Sequence, residues 1–267
     1  MPPWGGVFHP AVPNVYPIQG RSNPGPELSR NGELMPVGED QASGVTALPL
    51  RGEALAFTMA LTPAEYLSQD TCAGRAIHSR LQEVRLLPED QHFFNAYPDV
   101  LHWIALVSED TPDTAIVLPI WMRLAQCSPR IDLRIWRDTD DLSLLAPLVD
   151  DLDLTEDLAD VELPLLLLFD EEWQYQDRWG PHPQAAEPYL EAWLERHPEY
   201  ETLAEDESAE AQDAYGHLLD CLTWEMRVWY NSGLNHACVA EIRSLLESWQ
   251  STAEEEGEDG TAEDPSG

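Results

Sequence analysis

Val100-Leu-His-Trp-Ile-Ala-Leu-Val-Ser-Glu-Asp-Thr-Pro-Asp-Thr114 is the stretch that decides the fold. Its first eight residues form a nearly continuous apolar run, rich in β-branched and aromatic side chains, with the length of a buried strand. Ser108, Glu109 and Asp110 end that run. Thr111 then suits a helix N-cap, and Pro112 suits the first helical position, where no N–H is needed. Asp113 adds a negative charge near the positive end of the helix dipole. Ile116, Val117, Ile120, Trp121 and Leu124 continue at helical spacing, and Pro119 inside the helix is expected to kink it. In Ile131-Asp-Leu-Arg-Ile-Trp136 apolar and polar residues alternate, as in a second strand. Strand, helix and strand with short loops make a βαβ unit.

Further on, Leu163-Pro-Leu-Leu-Leu-Leu-Phe169 reads as another buried strand with a proline at its mouth. Asp170-Glu-Glu172 makes a turn, Trp173 to Trp179 an antiparallel partner, and Gly180-Pro-His-Pro183 a break. A helix follows from about Gln184 to Arg196, with Tyr189, Leu190, Trp193 and Leu194 on one face.

This order of elements resembles the thioredoxin fold, and more narrowly the bacterial thioredoxin family proteins. Pro119 lies five residues after Thr114, the family's spacing after its second cysteine. Leu163-Pro164 is similar to the family's cis-proline position, and Arg178-Trp-Gly-Pro181 to its end signature. The resemblance spans roughly Leu61 to Arg196. It implies a thioredoxin-like three-layer α/β/α sandwich with a mixed central sheet. It also departs from the family at one place. Thr111-Pro112-Asp113-Thr114 stands where the family keeps Cys-x-x-Cys, and Asp110 replaces the tryptophan before it. A thiolate attacks a disulfide and a threonine hydroxyl does not. No catalytic residue is therefore assigned. The candidate site is a degenerate groove of Thr111, Pro112, Asp113, Thr114, Leu163 and Pro164.

The four cysteines, Cys72, Cys127, Cys221 and Cys238, form no Cys-x-x-Cys pair. Cys127 falls at the far end of the motif helix, away from the N-terminus that lowers a thiol pKa. Cys221 and Cys238 fall on two successive helices and read either as free thiols or as a regulatory disulfide. The eight histidines are scattered without metal-ligand spacing, and His182, between two prolines, reads as a cap or surface residue. No cofactor or metal is expected. Asp150-Asp-Leu-Asp153 lacks the glycine and terminal glutamate of an EF-hand loop, and reads as a solvated acidic face.

Residues 1–54 are rich in Pro, Gly, Ser and Asn and read as a disordered or loosely packed leader, with no signal-peptide pattern. Residues 55–200 form the thioredoxin-like domain. Within them, a capping box at Thr62-Pro-Ala-Glu65 opens a helix running towards Val84, and Pro88 opens a second. These helices form an N-terminal layer. Residues 205–250 show two amphipathic runs separated by Asn231-Ser-Gly233, a C-terminal helical hairpin that packs on its own domain or serves as a dimer or partner interface. Glu225, Arg227, Arg243 and Glu247 line its polar side. Residues 251–267 read as a disordered acidic tail.

The formal net charge is −36, and all fourteen basic residues are arginine. Such a charge repels nucleic acid and anionic membranes. It suits high solubility, a salt-rich cytosol or a basic partner. No apolar stretch is long enough to span a membrane, and a cytoplasmic setting is expected. Two functions follow: a redox-inactive peptide- or protein-binding scaffold, acting at the Pro164 groove or the hairpin, or a thiol-disulfide oxidoreductase in redox homeostasis that uses a remote cysteine or a partner's thiol.

Overall fold

β1 (Leu101–Val107), β2 (Ile131–Arg137), β3 (Leu165–Phe169) and β4 (Tyr175–Trp179) form one mixed sheet in the order β2-β1-β3-β4. The structure is a computed structural model that describes residues 52–69, 71–149 and 161–259. β1 and β2 are parallel, with Leu101 opposite Ile131 and Val107 opposite Arg137. Parallel neighbours need a crossover, and α5 (Pro112–Cys127) supplies it. β3 runs antiparallel to both β1 and β4. The outer edge of β2 is partly closed by Leu61, whose N–H and C=O both bond to Ile135.

Side chains alternate across the sheet and build two cores. Leu101, Trp103, Ala105, Val107, Leu166 and Leu168 face one. Ile104, Leu106, Leu165, Leu167 and Phe169 face the other. α5 is apolar nearly all round, and Ile116 to Met122 are all buried. A helix with that pattern must be covered on every side. It lies between the sheet and an outer layer in which α3 (Cys72–Leu81), α8 (Ala209–Trp229) and α9 (Asn235–Asp259) touch it. Trp103, Trp121 and Trp193 are fully buried in this core. Each such side chain contributes on the order of 3 kcal/mol.

Several boundaries differ from the sequence reading. The helix expected from Thr62 towards Val84 is two helices, α2 (Pro63–Ser68) and α3. Gln69 is extended, and Thr71 starts a new helix by accepting from Gly74 N at 2.9 Å. Both helix starts are locally capped; α2 carries the full Thr62–Glu65 capping box. The expected leader ends inside a helix, since α1 (Gly52–Met59) buries Ala56 and Phe57 on the second core. Residues 1–51 lie outside the described residues, as do Asp150 to Asp153 and residues 260–267. Trp173 is not in β4. It sits at φ 66° in the preceding turn and stacks on His102, with ring centroids 3.7 Å apart.

The C-terminal pair is two helices, α8 and α9, that meet at a kink over Tyr230–Leu234, and α9 continues to Asp259, beyond the expected start of the tail. Gly233 makes the bend at φ 154°, a conformation open to glycine. The two helices pack on the domain and not along one another: Leu222, Met226, Tyr230, Cys238, Ile242 and Leu246 join the main core. Their polar residues tie them down. Arg227 pairs with Glu83 and Arg196 with Glu225 at 2.7 Å, whereas Arg243 and Glu247, 2.7 Å apart, pair within α9 itself. α4 (Pro88–Ala96) is joined to α9 at the Tyr97 hydroxyl just beyond its end, which donates to Leu246 O at 3.4 Å. No helix among the described residues is long and apolar enough to cross a membrane.

Candidate functional site

The motif turn is a closed hydroxyl pair. Thr111 is the N-cap of α5, and its Oγ1 accepts from Thr114 N at 3.3 Å. The same oxygen lies 2.9 Å from Thr114 Oγ1 and 3.2 Å from Ser108 O, so the Thr111 proton has two acceptors. Pro112 occupies the first helical turn, where its missing N–H costs nothing. Thr114 is 1% exposed, so its hydroxyl depends on this partner. Among the described residues neither hydroxyl is bonded to a histidine or a carboxylate, and nothing activates either as a nucleophile.

Asp113 points elsewhere and meets His182, with Oδ1 and Nδ1 3.3 Å apart. This pair was not legible in the sequence, where His182 read as a cap or surface residue. Burial pulls the His182 pKa down, but the Asp113 carboxylate, then Glu162 and Glu187, outweigh it, and the net shift is upward. Burial raises the Tyr200 and Tyr230 phenols, and Asp113 adds to both. Both therefore stay protonated. Tyr200 is hydrogen-bonded to the Tyr215 hydroxyl at 3.3 Å.

Pro164 is buried at the mouth of β3, and the Leu163–Pro164 peptide is cis, as is Gly180–Pro181. Gly180, at φ 137°, lies so close that a Cβ on it would be 2.2 Å from Pro164 O. Pro164 thus supports the Gly180-Pro-His182 turn, and His182 reaches Asp113 at the start of α5. Leu163 packs apart from them, with the core on the other face of the sheet.

A cleft of about 740 Å³ opens beside this turn. One wall carries Glu162, Trp179, Pro181 and His182; the other is α9, through Ala240, Glu241, Ser244 and Leu245. Glu241 joins the walls, accepting from Trp179 Nε1 and from Gln184 N, each at 2.9 Å. Cys127, Cys221 and Cys238 are free thiols. Burial raises the Cys127 thiol and raises Cys238 further. The side chain of Cys72 lies outside the described residues. Among the described residues no group of histidine, cysteine and carboxylate side chains is arranged to hold a metal ion.

A family model described as thioredoxin matches residues 60–195, just over half of the chain. The chain belongs to the thioredoxin family. The thioredoxin-family domain ends before α8, so the α9 wall of the cleft lies outside the matched region. Two solved structures are similar to the chain: a protein of unknown function from Pseudomonas aeruginosa and an HIV epitope scaffold. Each is 17% identical with a TM-score of 0.47; the likeness covers 73% of this chain and 96% and 97% of theirs, respectively. None of the curated proteins compared matches the chain.

Proposed function

We propose that this chain is a redox-inactive thioredoxin-like module that binds an extended peptide or protein segment in the groove beside Thr111, Asp113 and Pro164. The observation that carries the reading is the Thr111–Thr114 pair: two hydroxyls 2.9 Å apart stand where disulfide exchange needs a thiolate. The free cysteines support it. Cys127 ends α5, away from the helix N-terminus, and Cys238, although in the first turn of α9, is fully buried, which raises its thiol instead of activating it. An extended segment beside a cis-proline adds as a strand through main-chain hydrogen bonds, which need no cysteine. A reducing, cytoplasmic setting belongs to the same reading and fits free thiols at Cys127, Cys221 and Cys238.

An insulin-reduction assay tests the redox part. The parent chain is expected to show no activity, and Thr111→Cys with Thr114→Cys to gain some. Activity in the parent that disappears on replacing Cys72, Cys127 or Cys221 by serine would establish the oxidoreductase reading instead. A peptide array tests the binding part. Binding is expected to weaken with Thr111→Arg and Asp113→Arg, and array binding indifferent to both would remove the groove from consideration.

A further inference from the structure

The cleft between the Gly180-Pro-His182 turn and α9 carries charge as well as shape. Three carboxylates line it, Glu162, Glu187 and Glu241, against two basic side chains, Arg178 and His182. Both basic groups are already answered. His182 turns Nδ1 towards Asp113, and Arg178 is itself engaged. The carboxylates are not. Glu241 is held by two neutral donors, Trp179 Nε1 and Gln184 N, which leave its charge uncancelled. Glu162 and Glu187 are exposed, so an occupant can reach their oxygens. Among the described residues neither makes a hydrogen bond or a close ion pair; both act on His182 through space.

Position ties these two carboxylates to Pro164. Glu162 stands two residues before the cis-proline, at the mouth of β3. A strand that pairs with this segment carries a side chain opposite Glu162. Glu187 opens α6 (Glu187–Arg196), just beyond the turn that Pro164 supports. Pro181 on one wall and Ala240 and Leu245 on the other supply apolar surface. At about 740 Å³ the cleft has the size of ordinary ligand sites, about 300–1,000 Å³. Such a lining suits a long basic side chain, whose methylenes lie on apolar surface while its charged head stays among carboxylates and water.

We propose that the segment bound beside Pro164 carries an arginine or lysine whose charged head sits in this cleft with Glu162 and Glu187 and whose methylenes lie on Pro181 and Leu245. This occupant, which presupposes the peptide-binding reading above, gives the groove a specificity for basic segments. A net charge of −36 already draws basic ligands to the whole surface. The cleft adds a preference at one position of the bound segment, because contact pairs survive the salt that screens the distant field.

The test offers a positional-scanning library of acetylated, amidated nonapeptides to the full chain in about 0.15 M salt. One position is expected to select arginine and lysine over glutamine. Fluorescence anisotropy then compares the selected basic peptide with its glutamine counterpart. Exposed ion pairs are worth up to about fivefold each, so two carboxylates should make the basic peptide bind about tenfold more tightly. Glu162→Gln with Glu187→Gln is expected to bring the two peptides within about twofold of each other, with circular dichroism unchanged because both positions are exposed. Glu201→Gln with Glu205→Gln removes the same charge from exposed positions outside the cleft and should keep the difference. Peptide binding without a basic preference would overturn the inference and leave the peptide-binding reading standing. So would a preference that the Glu162 and Glu187 variant keeps, or that the control variant loses equally, since it would then belong to the acidic surface at large. No peptide bound at all would overturn both.

Discussion

Glu241, on a helix outside the thioredoxin-family region, accepts a hydrogen bond from Trp179 Nε1 at 2.9 Å. Its second oxygen accepts from Gln184 N at the same distance. One carboxylate thus fastens α9 to the end of β4 and to the turn that follows, and so fixes the width of the cleft beside Pro164. Hydrogen bonds to a charged group are worth about 1.5–3 kcal/mol when buried, less where water competes.

Glu241→Ala is therefore expected to lower stability by about 1–2 kcal/mol, read from the urea midpoint. Glu241→Gln keeps one acceptor and should lose about half as much. A larger shift in Trp fluorescence for the alanine variant would report release of Trp179. Unchanged midpoints in both variants would mean that apolar packing alone holds α9 in place.

The Asp113–His182 pair makes stability depend on pH with a defined sign. The folded pKa of His182 is raised above the ordinary value of 6.5. Its contribution is then fully present below that value and is lost as pH rises through the folded pKa. A urea midpoint that declines over this window in the parent is expected to flatten in both His182→Gln and Asp113→Asn. NMR titration of the His182 ring in the parent should give a midpoint above 6.5. A midpoint below that value would remove Asp113 as its dominant partner.

Thr111 serves as both cap and hydroxyl partner. Thr111→Ala removes the N-cap acceptor and leaves the buried Thr114 hydroxyl without its 2.9 Å neighbour. A loss of about 1–2 kcal/mol is expected. Thr111→Ser keeps both bonds and should be near neutral. Equal stability of the two variants would show that the cap adds nothing in this context.

Two glycines adopt positive φ for different reasons, and alanine separates them. At Gly180 the added Cβ would lie 2.2 Å from Pro164 O, backbone against backbone, at φ 137°. Gly180→Ala is expected to cost about 3 kcal/mol or more. At Gly233, φ 154°, nothing lies within 4 Å of the Cβ position. Gly233→Ala then carries backbone strain alone, about 1–2 kcal/mol. Thermal melts of the pair should rank them in that order.

Much of the domain was legible because the signals are local. The Thr62–Glu65 capping box and the Thr111-Pro112 start of α5 act over three or four residues, and both appear as helix starts. The apolar run of β1 and the all-round apolar character of α5 report burial directly. α1 escaped notice because among its described side chains, with the following Ala60, only Ala56, Phe57 and Ala60 bury, too few to set a period. Asn231-Ser-Gly233 reads as a helix stop, and Gly233 at φ 154° does interrupt the helix, so that α8 and α9 are separate helices meeting at a kink whose Tyr230 and Leu234 are buried in the core. His182 gave no signal, since its meaning lies in a carboxylate distant along the chain.

The amino-acid order by itself determined the caps, the strand and helix periods, the membership of the thioredoxin-like architecture and the absence of thiols at Thr111 and Thr114. All of these depend on residue chemistry or on neighbours within a turn or two. Only the tertiary structure decided that Asp113 meets His182 and that Glu241 clamps Trp179. Those relationships arise when the closing of long loops is offset by burial of the two cores, and their geometry is a property of the packed helices rather than of any local pattern.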